Sequence, residues 1–89
     1  MIRRDVTIIN RLGLHARAAA KLVATASRFG CTVGVVKDGR NADAKSIMAV
    51  MMLAATRGHT VTLTADGPDE AAAVDALEAL VNDRFGEDE

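Results

Sequence analysis

Residues 31–44 read Cys-Thr-Val-Gly-Val-Val-Lys-Asp-Gly-Arg-Asn-Ala-Asp-Ala. The β-branched apolar run from Cys31 to Lys37 predicts a strand, Asp38-Gly39 is a two-residue hairpin signal, and Arg40 to Ala44 predicts a shorter returning strand. On both sides of this hairpin the hydrophobic period lengthens to that of helices. Upstream, Ala16, Ala19, Ala20, Leu22, Val23 and Ala26 recur at helical spacing, with Arg17, Lys21 and Arg28 on the other side and Gly30 as a stop, so a helix is predicted over 16–28. Before it, Arg3 to Ile9 alternates loosely and ends in the loop Asn10-Arg11-Leu12-Gly13, which reads as a first strand and its exit. Downstream, Ser46 precedes the apolar run Ile47 to Ala55 as an N-cap residue does, and Gly58 closes that short helix. The run is apolar all round, so the domain's own sheet leaves at least one of its faces uncovered.

Thr60 to Asp66 alternates cleanly, which predicts a strand with Val61, Leu63 and Ala65 inward and Thr60, Thr62 and Thr64 on a solvated face. Gly67-Pro68 opens a last helix with Val74, Leu77, Leu80 and Val81 as its buried stripe and Glu70, Asp75, Glu78 and Asn82 on the wet side. The order βαββαβα predicts a two-layer α/β (α+β) open-faced sandwich, an antiparallel sheet covered on one face by three helices. Residues 1–89 read as a single domain, with 86–89 expected to be a frayed, solubilising acidic tail.

Composition narrows the function. Of the 49% hydrophobic residues, 17 are alanines, so the core is built largely from small side chains. There is no Trp or Tyr, and the only aromatic residues are Phe29 and Phe85, which leaves no ladder for stacking bases. Cys31 is alone, so no internal disulfide forms, and a reducing compartment is indicated. The longest apolar run, nine residues from Ile47, is about half of a membrane-spanning helix, and the polar N-terminus lacks a signal core. No membrane insertion is expected, and the chain reads as a mature cytoplasmic protein. Nine Lys/Arg against three Asp make residues 1–46 basic, while the remainder carries nine acids against Arg57 and Arg84. This polarity suits an acidic partner or anion on one side better than nucleic acid.

The stretch Gly13-Leu14-His15-Ala16-Arg17-Ala18-Ala19-Ala20 joins the first loop to the first helix. It places an imidazole where free backbone N–H groups and the positive end of the helix dipole converge, with Arg17 two residues on. Dipole and cation both disfavour imidazolium, so a neutral ring with an available lone pair is expected near neutral pH. A histidine able to attack phosphorus, beside donors for phosphoryl oxygens, describes a phosphohistidine carrier. The same spacing also fits a helix-capping histidine in a solvated loop. Ser46 has two compatible readings, an N-cap and a phosphate acceptor favoured by the dipole, with Ile47, Met48 and Met51 as a soft apolar surface for partners. His59 reads as a solvated turn residue and Cys31 as a small buried hydrophobe. No P-loop, GxGxxG, HExxH or paired-carboxylate motif is present, and nothing calls for a cofactor or metal.

Gly-Leu-His-Ala-Arg before an Ala-rich helix, with Lys45-Ser46-Ile47-Met48 some 30 residues later, resembles the HPr family, the histidine-containing phosphocarriers of the bacterial phosphoenolpyruvate-dependent phosphotransferase system. The resemblance implies that His15 accepts a phosphoryl group on Nδ1 from phosphorylated enzyme I and passes it to a histidine of a IIA component. It makes Arg17 the phosphate-stabilising arginine and the amides around Ala16 and Arg17 the phosphate cradle. Ser46 matches the serine modified by HPr kinase/phosphorylase, whose phosphate weakens enzyme I docking. Leu14, Ala20, Ile47, Met48 and Met51 fall on the family's docking surface, with Arg17, Lys21, Arg28 and Lys45 expected to attract acidic partners. Sheet order 1-4-2-3 and a monomeric state are also implied.

Two residues depart from the family pattern. Ala18 stands where proline is usual and restores an N–H, expected to be solvent-accessible or to face the phosphate. Ala49 stands where glycine is common and is expected to add a methyl to the docking surface. Sugar uptake and a nitrogen-type regulatory branch both fit the sequence. Two further classes compete with this reading, an interaction domain controlled through Ser46 and a small-molecule-binding ferredoxin-like module.

Overall fold

The sheet is assembled on the strand expected at 60–66. In the computed structural model, which describes residues 1–89, the elements are β1 (Ile2–Thr7), α1 (Ala16–Ala26), β2 (Thr32–Lys37), β3 (Arg40–Asp43), α2 (Ile47–Met52), β4 (Thr60–Asp66) and α3 (Glu70–Asn82), followed by a 3₁₀ turn (Arg84–Gly86). β4 lies between β1 and β2, and all pairings are antiparallel in the order β1-β4-β2-β3. Register runs Ile2↔Ala65 to Thr7↔Thr60 on one side of β4 and Val33↔Ala65 to Val36↔Thr62 on the other. The β2–β3 hairpin turns through Asp38 (φ 51°) and Gly39 (φ 79°). Two successive left-handed residues match the strand twist, which is why Asp-Gly marks the turn.

One face of the sheet is dry. Val6, Val33, Val35, Val61, Leu63 and Ala65 pack against Ala18, Ala19, Leu22 and Ala26 of α1 and Ala73, Val74, Leu77 and Val81 of α3, all in one 23-residue core. Alanines at the helix–sheet contacts fill the space between layers with little side-chain entropy lost on burial. The other face is only partly wet, because Thr64 is almost buried and not solvated as its alternation predicts. It pairs with Gly34, which has no side chain to hold it off: a Cβ there would stand 2.7 Å from Thr64 Oγ1.

Element ends differ from the sequence reading for local reasons. α1 stops at Ala26, and the Lys45 ammonium ties the following turn by donating to the carbonyls of Phe29 and Cys31, each at 2.8 Å. α2 stops at Met52, three residues before the apolar run does, because Ala54 adopts positive φ and frees the Ala55 carbonyl to receive the Leu14 N–H at 2.9 Å.

The acidic C-terminus does not fray. Arg84, Phe85 and Gly86 all have positive φ and turn the chain back on itself, with the Phe85 ring fully buried and its carbonyl accepting from Lys21 Nζ at 2.5 Å. Beyond the turn, the Arg11 amide donates to the Glu89 carbonyl (2.7 Å) and its guanidinium meets the Glu89 carboxylate (3.2 Å). The charge asymmetry along the sequence is therefore partly spent inside the fold. Met1 with Asp66 and Glu70, Arg4 with Asp75 and Glu78, Arg11 with Glu89, and His15 with Glu87 all join the first half of the chain to the second.

Gly13 has no room for a side chain. Its φ is +65°, and an added Cβ would lie 2.5 Å from the Ala55 carbonyl oxygen and 2.8 Å from Thr56 Cα. Gly13→Ala is expected to cost on the order of 1–3 kcal/mol, read as a lower urea midpoint, whereas an unchanged midpoint would show that the 10–14 loop does not depend on this close approach.

Candidate functional site

The loop after β1 is fixed before it reaches His15. Asn10 is fully buried and its Nδ2 donates to the Gly13 carbonyl at 2.8 Å; the Gly13 amide returns a bond to the Asn10 carbonyl at 3.2 Å. Leu14, expected on a docking surface, instead sends its side chain into the core, with 5% exposure. Buried Leu14 anchors one side of His15, and buried Ala18 and Ala19 anchor the other. The imidazole between them stays about a quarter exposed.

His15 is the N-cap of α1 in extended conformation (φ −72°, ψ 177°), yet its side chain makes no capping bond. The helix-capping reading of the ring therefore fails. Its carbonyl accepts the first helical bond, from Ala19 at 2.8 Å, and the amides of Ala16, Arg17 and Ala18 have no acceptor within the chain. Unpaired N–H groups at a helix start, where the dipole is positive, form an anion cradle. Arg17 is exposed and pairs with no carboxylate. Ala18, by contrast, is wholly buried, so its amide does not face bulk solvent as expected.

The ring meets a group that no periodicity or motif marked. Nε2 lies 2.5 Å from Glu87 Oε2, across 72 residues of chain, while Glu87 Oε1 accepts from Asn10 Nδ2 at 3.1 Å. The His15 contact, aided by Asn10 and opposed by burial, holds the Glu87 carboxyl below its ordinary range. Arg11, Leu12, His15, Arg17 and Glu87–Glu89 line an open concavity of about 500 Å³.

The second motif lies on α2, which packs against α1. Ser46 is an N-cap whose Oγ accepts from the Ala49 amide at 3.3 Å. Ile47 (43%), Met48 (72%) and Met51 (39%) are exposed, as are Ala20 on α1 and Leu12 in the loop. Leu12 thus takes the exposed position that Leu14 does not. Ala49 turns inward, half-buried with Ala42 and Leu53 beside β3, so its methyl is not an addition to the exposed patch. Of the four cations expected to attract partners, Lys21 and Lys45 donate to backbone carbonyls, and Arg17, Arg28 and Lys45 are exposed. His59 accepts the Thr56 amide at 3.1 Å within its own turn, and no group of three His, Cys, Asp or Glu side chains is placed to hold a metal ion. No helix is long and apolar enough to cross a membrane.

Comparison with known proteins agrees with this geometry. Residues 2–83 match the family model described as the PTS HPr component phosphorylation site. The chain is 62% identical, over the full length of both, to the phosphocarrier protein HPr of Cupriavidus necator. A crystal structure of HPr from Thermoanaerobacter tengcongensis superposes with a TM-score of 0.96 at 44% identity, covering 100% of each chain. An HPr dimer from the same organism gives 0.79 at 45% identity, covering 98% of this chain and 100% of that one. The chain belongs to the HPr family, the phosphocarrier proteins of the phosphotransferase system.

Two outcomes follow from the site. A carboxyl held below its ordinary range binds fewer protons folded than unfolded, so its contribution is present above the carboxylate range and is lost as pH falls. The stability difference between the wild type and Glu87→Gln should accordingly shrink between about pH 6 and about pH 3, measured by urea titration; a constant difference would contradict the ionised contact. Because the Ala18 amide bonds nothing within the chain in the first helical turn, Ala18→Pro should change stability by no more than about 1 kcal/mol, whereas a loss above about 2 kcal/mol would show that this N–H has an acceptor.

Proposed function

We propose that His15 accepts a phosphoryl group from phosphorylated enzyme I and delivers it to a histidine of a IIA component, the protein being a stoichiometric carrier and not an enzyme. The observation that carries this reading is the partly exposed His15 ring at the start of α1, beside the unpaired amides of exposed Ala16 and Arg17 and the unpaired Arg17 guanidinium. Peptide dipoles and one guanidinium hold phosphoryl oxygens without enclosing them, which suits a group that must leave again. Ala20, Ile47, Met48 and Met51, together with Leu12, form the apolar surface on which both partners dock, and the carrier acts as a cytoplasmic monomer.

Ser46 is the regulatory residue of this reading. A kinase of the HPr kinase/phosphorylase type would place about −1.5 to −2 charges at the start of α2, among exposed Ile47 and Met48. The added charge is favourable to the helix end and unfavourable to an apolar contact, so enzyme I docking weakens while the fold persists.

The test is incubation with phosphoenolpyruvate and enzyme I, followed by intact mass and acid treatment. The wild type should gain one acid-labile phosphoryl mass, His15→Ala none, and Arg17→Ala should gain it about 10²-fold more slowly. Phosphorylation of His15→Ala at an undiminished rate would overturn the assignment.

A further inference from the structure

We infer that Glu87 is the positioning residue of the phosphoryl acceptor: it holds the His15 ring from the Nε2 side, presents Nδ1 as the nucleophile and balances the ring's charge during transfer. The inference rests on His15 being the acceptor, as proposed above. Three observations place Glu87 in this role. Its Oε2 is 2.5 Å from His15 Nε2, its Oε1 is fixed by buried Asn10 at 3.1 Å, and its side chain is only 14% exposed, so the carboxylate is held and is not a passing surface contact. The three left-handed residues Arg84, Phe85 and Gly86, with Phe85 locked in the core, determine where Glu87 arrives.

The chemistry follows from what each group can donate. An ionised carboxylate only accepts hydrogen bonds, and Asn10 Nδ2 only donates, so the network is consistent only if Nε2 carries the ring proton. In the neutral ring the lone pair is then on Nδ1. As Nδ1 attacks phosphorus, the new N–P bond forms while the bond from phosphorus to the donor breaks, and that electron pair stays with the donor atom that held the group. The ring, still protonated at Nε2, takes on positive charge. Glu87 stabilises that charge as the carboxylate of a Ser-His-Asp triad stabilises its imidazolium. In the second transfer the acceptor histidine attacks phosphorus, the P–Nδ1 pair returns to the ring, and the same carboxylate retains the same proton. One interaction thus serves loading and unloading alike, because the cationic ring is common to both.

Asn10 and Glu87 lie near opposite ends of the chain and meet only in the fold, which is why no local motif marks the pair. A residue that merely tied down the tail would affect melting temperature without affecting the ring, and this difference makes the inference testable.

The experiment is ¹⁵N-detected NMR of the His15 ring at about pH 9, above the ordinary imidazole range, together with the rate of phosphoryl uptake from enzyme I, for wild type, Glu87→Gln and Glu87→Ala. Wild type should show a single Nε2–H tautomer. Glu87→Gln offers one acceptor oxygen to two donors, Asn10 Nδ2 and His15 Nε2, so both the single tautomer and the rate should be lost. Glu87→Ala should show mixed tautomers and a loss of roughly ten- to hundredfold, the range typical when the orienting partner of a functional imidazole is removed. A mixed or Nδ1–H tautomer in the wild type, or an unchanged tautomer and rate in Glu87→Ala, would overturn the inference. Failure of the wild type itself to take up phosphoryl would overturn the carrier reading instead, and the tautomer spectrum would still report on Glu87.

Discussion

The site depends on the buried carboxamide of Asn10. Its Nδ2 donates to the Gly13 carbonyl of the loop before His15 and to the Glu87 carboxylate of the tail, so one side chain joins the two segments that meet at the imidazole. With no exposure to solvent, Asn10 cannot exchange these partners for water, and unmaking either bond leaves a polar group stranded in the core. Gly13 is held against Ala55 and Thr56 in consequence, Leu14 is drawn inside, and His15 emerges in extended conformation at the head of α1.

A carrier requires a nucleophile that is accessible yet fixed, and the fold meets the two demands with different elements. Rigidity comes from the core beneath the site, where Leu14, Ala18, Ala19 and Phe85 are buried within a few residues of His15 and Glu87. Accessibility comes from the open side, where the ring, Arg17 and Leu12 border a shallow concavity and no lid covers them.

Much of this was legible in the sequence because it is written in local patterns. The Asp38-Gly39 turn, the alternation of β4, the helical spacing of α1 and the Ser46 cap each depend on neighbours a few residues away, and each appears where expected. The sheet order and the proposal of His15 as acceptor came from the resemblance carried by two short motifs. What was not legible is long-range. Glu87 looked like part of a solvated acidic end, because nothing near it in sequence reveals that Arg84 to Gly86 turn the chain back toward His15. Leu14 and Ala49 were placed on the surface by motif position, whereas the loop's approach to Ala55 and the packing of α2 on β3 turn both inward. The carbonyls to which Lys21 and Lys45 donate lie elsewhere along the chain and leave no local signal.

The most direct measurement is the site of attachment in the phosphorylated protein, read from phosphorus–nitrogen coupling in ³¹P and ¹⁵N NMR of a sample with ¹⁵N-labelled histidine. With Nε2 committed to Glu87, phosphorus should be bonded to His15 Nδ1 and the Nε2 proton should persist. Phosphorus on Nε2, or on any residue other than His15, would contradict the account of how this site is built.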